Sequence, residues 1–336
     1  MKDFLSLAGL APEEVADLLA LAARLERSPE PEALKGRVLA LLFFNPSLRT
    51  LASFQAGMAR LGGSSFVISP GQGTWLLETR EGVVMDGAAA EHVREAIPVL
   101  AGYADALGIR SFAGGTDLAA DLADATFRSM AAVCPVPLIN LESAIDHPCQ
   151  ALADWKTMDD LGIPTRGEDG GKFVLTWAWH PKPLPLAVPA AAVHMAALRG
   201  MDVTVLRPEG FALPEPVMAR ARAAAALSGG SVRETADRGE ALEGARVIYA
   251  KSWTSPLHYG DAKAEADFRA GLRDWCVGDD WFDTAAPDCR FMHCLPVRRN
   301  VVVRDSVLDG PRSVVVHEAR NRMWGQMAVL HRLLVG

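Results

Sequence analysis

A Gly-x-Gly-x-x-Gly fingerprint is missing after the first predicted strand and again after Thr176, which excludes the usual dinucleotide dehydrogenase. Gly-x-x-x-x-Gly-Lys-Ser/Thr is absent too, so this is not a P-loop protein, and there is no Gly-x-Ser-x-Gly nucleophile elbow. Basic residues are in deficit: 34 Lys and Arg against 41 Asp and Glu leave a formal charge of −7. That balance argues against nucleic acid or an anionic membrane as partner, although local Arg and His clusters can still hold a small anion. Cysteine is scarce and odd in number. Cys134, Cys149, Cys276, Cys289 and Cys294 form no Cys-x-x-Cys pair, so they fit reduced thiols in a cytoplasmic protein rather than a disulfide frame or a zinc site. No His/Cys/Asp spacing makes a metal site, and neither metal nor cofactor is expected. No apolar run is long enough to span a bilayer, and Met1-Lys2-Asp3-Phe4 lacks a signal-peptide layout.

What is present is a β/α alternation. Residues 12–27 read as an amphipathic helix opened by Pro12. The run Val38 to Leu42 is a buried strand, broken by Asn45-Pro46, and Ser47 caps a helix that continues to Gly62-Gly63. A short strand at 66–68, an exposed glycine-rich loop carrying Trp75, a helix at 91–104, a strand at 106–110, a helix at 117–132 and a strand at 136–140 follow. His147-Pro148-Cys149-Gln150 then opens a helix suited to bridge two domains, and a Gly-rich linker covers 162–171. A second series places strands at 172–177, 202–206 and 246–250, helices at 186–199 and 214–228, a strand end at 291–294, a strand at 313–316 and a closing helix at 318–334. The expected class is α/β: two Rossmann-like, doubly wound parallel-sheet domains joined by interdomain helices.

Open sheets of this kind bind ligands at the carboxyl ends of their strands. The polar residues there are Ser47, Arg49 and Thr50; Arg110; Asn140, Glu142, His147 and Gln150; His180; and His293 through Asn300. Arg320 and Arg322 stand near the start of the last helix. Strand, turn and helix start put backbone N–H groups at one point beside Ser47, Arg49 and Thr50, a seat for phosphate. Each residue has an ordinary explanation when taken singly. A strand-end Arg can be surface charge, a lone His structural, Trp75 packing, and Cys294 a small buried hydrophobe with no base paired to it. Repetition at successive strand ends is what points to a site.

Ser47-Leu48-Arg49-Thr50, His147-Pro148-Cys149-Gln150 and His293-Cys294-Leu295-Pro296, in this order, resemble the motifs of the aspartate/ornithine carbamoyltransferase superfamily, over essentially the whole chain. The segments around Met85-Asp86-Gly87, Trp179-His180-Pro181, Lys251-Ser252-Trp253 and Arg298-Arg299-Asn300 resemble its N-acylornithine branch. Acetyl-using members carry a glutamate where this chain has Ala90; with Val302, that resembles the succinyl-using type, because a glutamate at the acyl tip would repel a succinyl carboxylate. Two departures stand out: Leu51 replaces the motif's usual following Arg, and Gln55 a common Glu.

The resemblance implies carbamoyl transfer from carbamoyl phosphate to the δ-amine of N2-succinyl-L-ornithine, in arginine biosynthesis. The alternatives are N-acetyl-L-ornithine as acceptor, or a non-catalytic relative that only binds carbamoyl phosphate. It implies a carbamoyl-phosphate domain over 1–145, completed by 318–336, and an acylornithine domain over 146–317. Ser47, the Leu48 backbone, Arg49, Thr50 and Arg322 are expected around the phosphate. Arg110 and His147 are expected at the bridging or carbonyl oxygen, and Gln150 with the carbonyls of Cys294 and Leu295 at the carbamoyl NH2. Glu142, His180, Lys251 and Arg298 are expected on the acylornithine. Trp75 and Ala90 are expected to come from a neighbouring subunit of a homotrimer with shared sites.

Overall fold

The computed structural model describes residues 1–167 and 170–336; Glu168 and Asp169, inside the predicted linker, lie outside the described residues. The chain divides into two compact units. The first is Met1–Gly114, Ala119–Cys149 and Arg322–Gly336; the second is Gly115–Leu118 with Gln150–Asn321.

In the first unit, α1 (Pro12–Arg27) precedes β1 (Val38–Phe43), α2 (Leu48–Arg60) and β2 (Ser64–Ile68). A small pair, β3 (Leu76–Glu78) and β4 (Ala89–His92), leads into α3 (Val93–Ala101) and β5 (Ala106–Arg110). Then come α4 (Leu118–Leu122), α5 (Ala125–Ala132) and β6 (Leu138–Glu142). The main sheet is parallel, in the order β2-β1-β5-β6. Strand β1 is a continuous apolar run, as burial on both faces requires; β5 and β6 are buried throughout, and the edge strand β2 is half-buried. The core on one side gathers Leu42, Ile97, Leu107, Ile109, Phe127 and Met130.

The chain passes into the second unit within the first turn of α6 (Pro148–Asp160). There follow β7 (Lys172–Trp177), α7 (Ala187–Leu198), β8 (Asp202–Leu206), α8 (Glu215–Ser228), β9 (Ser231–Thr235), α9 (Arg238–Leu242) and β10 (Val247–Lys251). The series ends with α10 (Ala262–Arg269), β11 (Arg290–Met292) and α11 (Asp305–Leu308); α12 (Val315–Leu334) begins in the second unit and belongs to the first from Arg322 on. Its sheet is also parallel, in the order β11-β10-β7-β8-β9. Helix α7 is buried along its whole length, which its run of alanines permits by letting α8 approach closely.

Two predicted elements differ, and three strands are additional. The helix expected over 117–132 is two helices, broken at Asp124, which sits in the left-handed region with φ 53°. Aspartate tolerates that conformation better than most residues. The break turns its carboxylate onto the Ser143 hydroxyl at 2.6 Å and the Ala144 N–H at 3.1 Å. The strand expected at 313–316 reduces to one bridge, Ser313 to Phe291; Val315 already opens α12. Its valines favour a strand, but the tertiary contacts of Glu318 and Arg322 require helix there. Strands β3, β4 and β9 were not expected: each is short, and β9 alternates polar residues on an edge.

Candidate functional site

The strand order of the first unit reverses beside β1, whose neighbours are β2 and β5. At that switch point Phe43 pairs in register with Arg110, so the turn after β1 and the end of β5 meet at one edge. Asn45 ties them: its side-chain oxygen accepts from the Phe112 N–H at 2.8 Å. Ser47 caps α2, its Oγ accepting from the Thr50 N–H at 3.2 Å and donating to Thr50 Oγ1 at 2.9 Å. Leu48, the first helical residue, is 78% exposed, so its side chain packs on nothing and its backbone is what it offers. Arg322, 2% exposed, donates from Nη2 to Thr50 Oγ1 at 2.8 Å.

Arg110 and Glu142 form a buried ion pair, with His147 Nε2 at 3.4 Å from the same carboxylate oxygen. Arg110 also lies 4.6 Å over the Phe112 ring. The loop bearing Glu142 and His147 is fixed from below: Asn140 donates to Ser143 Oγ at 3.0 Å and to the Leu5 carbonyl at 3.0 Å. Burial, together with the like charges of Arg110 and Arg49, lowers the Arg322 pKa, while Cys149 and Glu142 oppose that shift. The guanidinium groups of Arg110 and Arg49 therefore each lie within electrostatic reach of Arg322, as does one carboxylate, Glu142, and Arg322 bonds the first turn of α2. Such a net positive, desolvated seat suits a dianion. The Nε atoms of Arg110 and Arg322 are buried without a protein hydrogen-bond partner. Leu51 is half-buried and Gln55 exposed on α2; Arg320 is exposed on α12.

The second unit gathers a different cluster. Gln150 is 1% exposed and donates from Nε2 to Asp154 Oδ1 at 2.7 Å and to Glu318 Oε1 at 3.0 Å. The other Glu318 oxygen accepts from the His293 N–H at 3.0 Å. Burial, then the charges of Asp154 and Cys294, push the Glu318 carboxyl well above the ordinary range; burial and Asp154 likewise raise the Tyr249 phenol. Cys294 is buried, and Leu295 adopts φ 52° before a cis bond to Pro296. The sheet reverses beside β7, flanked by β8 and β10, and Lys251 pairs there with Trp177. His180 follows three residues later, its Nδ1 accepting from the Lys182 N–H at 3.1 Å. Its pKa is lowered by burial and by the cations Arg298, Lys251 and Arg269. His180 is thus a neutral ring in a cationic neighbourhood.

Trp75 is 60% exposed and donates from Nε1 to Glu91 at 2.8 Å. Ala90 is exposed on β4, next to Glu91 in sequence; the strand pleat turns their side chains to opposite faces. Asp154 and Glu318 escaped the sequence reading. For Asp154 the signal was its helical spacing from Gln150, which puts that acid beside a chosen residue; Glu318 had none. The thiols are quiet: burial pushes Cys149 and Cys289 up to about 12, and raises Cys134 and Cys276. Among the described residues no cluster of His, Cys, Asp and Glu is arranged to hold a metal ion, and no helix is long and apolar enough to cross a membrane.

Residues 2–160 match the carbamoyl-phosphate-binding domain model of the aspartate/ornithine carbamoyltransferases, and residues 188–333 match their aspartate/ornithine-binding domain model. The N-acetylornithine carbamoyltransferase of Xanthomonas campestris pv. campestris is 40% identical, over 99% of this chain and 98% of its own length. The N-succinylornithine carbamoyltransferase of Bacteroides thetaiotaomicron is 36% identical over 90% of this chain and 89% of its own. Among solved structures, a glutamate-to-alanine variant of N-acetyl-L-ornithine transcarbamylase, complexed with carbamyl phosphate and N-succinyl-L-norvaline, superposes with a TM-score of 0.94 at 39% identity, covering 99% of this chain and all of that one.

Proposed function

Since the chain belongs to the aspartate/ornithine carbamoyltransferase family, we propose that it transfers the carbamoyl group of carbamoyl phosphate to the δ-amine of N2-succinyl-L-ornithine. The products are N-succinyl-L-citrulline and phosphate, a step of arginine biosynthesis. Its class is a carbamoyltransferase acting on an N-acylornithine; the succinyl acceptor is the finer part of the proposal. The observation that carries the donor is the group of Arg49, Arg110 and Arg322 around the Ser47-capped end of α2, with Glu142 as the carboxylate among them.

In this reading Ser47, the Leu48 N–H, Arg49, Thr50 and Arg322 hold the phosphate. Arg110 and His147, both oriented by Glu142, donate to the carbonyl oxygen as negative charge develops on it. Gln150 and the carbonyls of Cys294 and Leu295 orient the carbamoyl NH2. The δ-amine must be neutral to attack, against an ordinary alkylamine pKa of about 10.4, and the departing phosphate is the proposed acceptor of its proton. Holding both reactants in line supplies much of the remaining acceleration.

Three observations support the succinyl acceptor. Ala90 leaves no acid where acetyl-using relatives have one, and variants of a relative with a glutamate replaced by alanine, proline or serine are seen with N-succinyl-L-norvaline. The cations Lys251 and Arg298 near His180 also favour an acceptor rich in carboxylates. One observation favours N-acetyl-L-ornithine instead: the higher identity to acetyl-using relatives, 40% against 36%. Side-by-side assays of citrulline-type product from the two acceptors decide between them. Higher kcat/KM with succinyl-ornithine is expected; preference for acetyl-ornithine overturns that part, and no turnover of either overturns the whole. We also propose a homotrimer in which Trp75 and Ala90 serve a neighbouring subunit's site.

A further inference from the structure

Glu318 touches two of the three motifs at once. One carboxylate oxygen takes the Gln150 side-chain N–H at 3.0 Å, and the other takes the His293 backbone N–H at 3.0 Å. It is fully buried, as is its neighbour Asp154, which takes the second N–H of the same Gln150 amide at 2.7 Å. Both amide protons of Gln150 are therefore spoken for by carboxyl groups, while its Oε1 is buried and has no protein partner. An amide with two acceptors on one side has one stable orientation, since the flipped form sets its oxygen against theirs.

We propose that Glu318 is a positioning residue that fixes the Gln150 amide with its oxygen, an acceptor, presented to the NH2 of the carbamoyl group. By holding the His293 N–H it also sets the start of the segment whose Cys294 and Leu295 carbonyls are assigned to that same NH2. The inference rests on the carbamoyl-phosphate reading above and extends it to selectivity: Glu318 makes the protein distinguish carbamoyl phosphate from free phosphate, which has no NH2 to recognise.

Glu318→Gln tests this. A glutamine side chain offers one oxygen and one NH2 where the wild-type carboxyl turns an oxygen to each of Gln150 and His293. If the acceptor serves His293, the donor confronts Gln150 and favours its flipped form, which turns N–H groups toward the carbamoyl NH2. Affinity for carbamoyl phosphate is measured by calorimetry on the full-length enzyme, alongside that for inorganic phosphate. Carbamoyl phosphate should weaken about tenfold or more, and phosphate by less than about twofold. A change that loosened the unit as a whole would not produce that split. In a Gln150→Ala background, E318Q should add less than about a twofold further loss, because its effect passes through Gln150. Should E318Q fail to fold, Glu318→Asp, which keeps the carboxyl group but withdraws it by a methylene, carries the same prediction in weaker form. Equal weakening of both ligands, no weakening of either, or a full additional loss in the Gln150→Ala background overturns the inference and leaves the functional reading intact. A wild-type enzyme with no preference for carbamoyl phosphate over phosphate overturns that reading as well.

Discussion

A guanidinium as buried as Arg322 loses its water, and Thr50 is the side chain that receives one of its donors. Thr50→Val keeps the shape and removes that acceptor, stranding a buried N–H. The expected cost is about 1–3 kcal/mol, read as a shift in the urea midpoint. Arg49→Ala should weaken phosphate binding at least about tenfold, as the loss of a charge-assisted contact requires; unchanged phosphate affinity would remove this residue from the seat. Ala90→Glu should lower succinyl turnover and raise acetyl turnover, and the ratio of the two kcat/KM values is the measurement. Glu318 adds a pH effect. Above the ordinary carboxylate value of 4.5 it keeps a proton in the folded chain that the unfolded chain releases. Its contribution to stability therefore falls as pH rises through the window from 4.5 up to its raised folded value. E318Q lacks that slope, so the Tm of the variant relative to wild type should climb as the pH rises above 4.5.

Among the elements, α2 draws on the sequence most directly. An apolar strand, Asn45-Pro46 and a capping Ser47 were enough to place its start, and Ser47→Ala should cost about 1 kcal/mol in helix capping alone, measurable by urea melts. Most strands of both sheets could be read in the same way, because burial on two faces leaves uninterrupted runs such as Val38–Phe43 and Lys172–Trp177. What escaped reading was decided at a distance. Nothing local to Ala123-Asp124 announces a left-handed residue; the Ser143 hydroxyl, far along the chain, holds it there. Ser313 to Val316 has a strand's composition, yet Val315 begins a helix. Glu318 and Asp154 looked like ordinary helical acids until folding set both against Gln150. The residues expected around phosphate were legible because they sit in contiguous motifs at strand ends, whereas the acids behind them are joined only by tertiary structure.

At the scale of the molecule, each unit repeats one arrangement: a parallel sheet whose strand order reverses at the point where its polar residues collect. The β3–β4 segment stands apart from both sheets, with Trp75, Leu76, Val84 and Met85 exposed. Apolar side chains so close together are expected to be covered by another copy. Light scattering should give three times the 36.0 kDa chain mass; a 36.0 kDa particle would overturn the trimer.

The buried thiols have a practical consequence. Cys134 and Cys149 belong to the first unit, and Cys276, Cys289 and Cys294 to the second. All but Cys134 are shielded from solvent, so a thiol-blocking reagent reaches them when their surroundings open. Each half of the chain thus carries its own native clock of local unfolding. Pulsed alkylation followed by peptide mapping can time the two separately, without introducing a label.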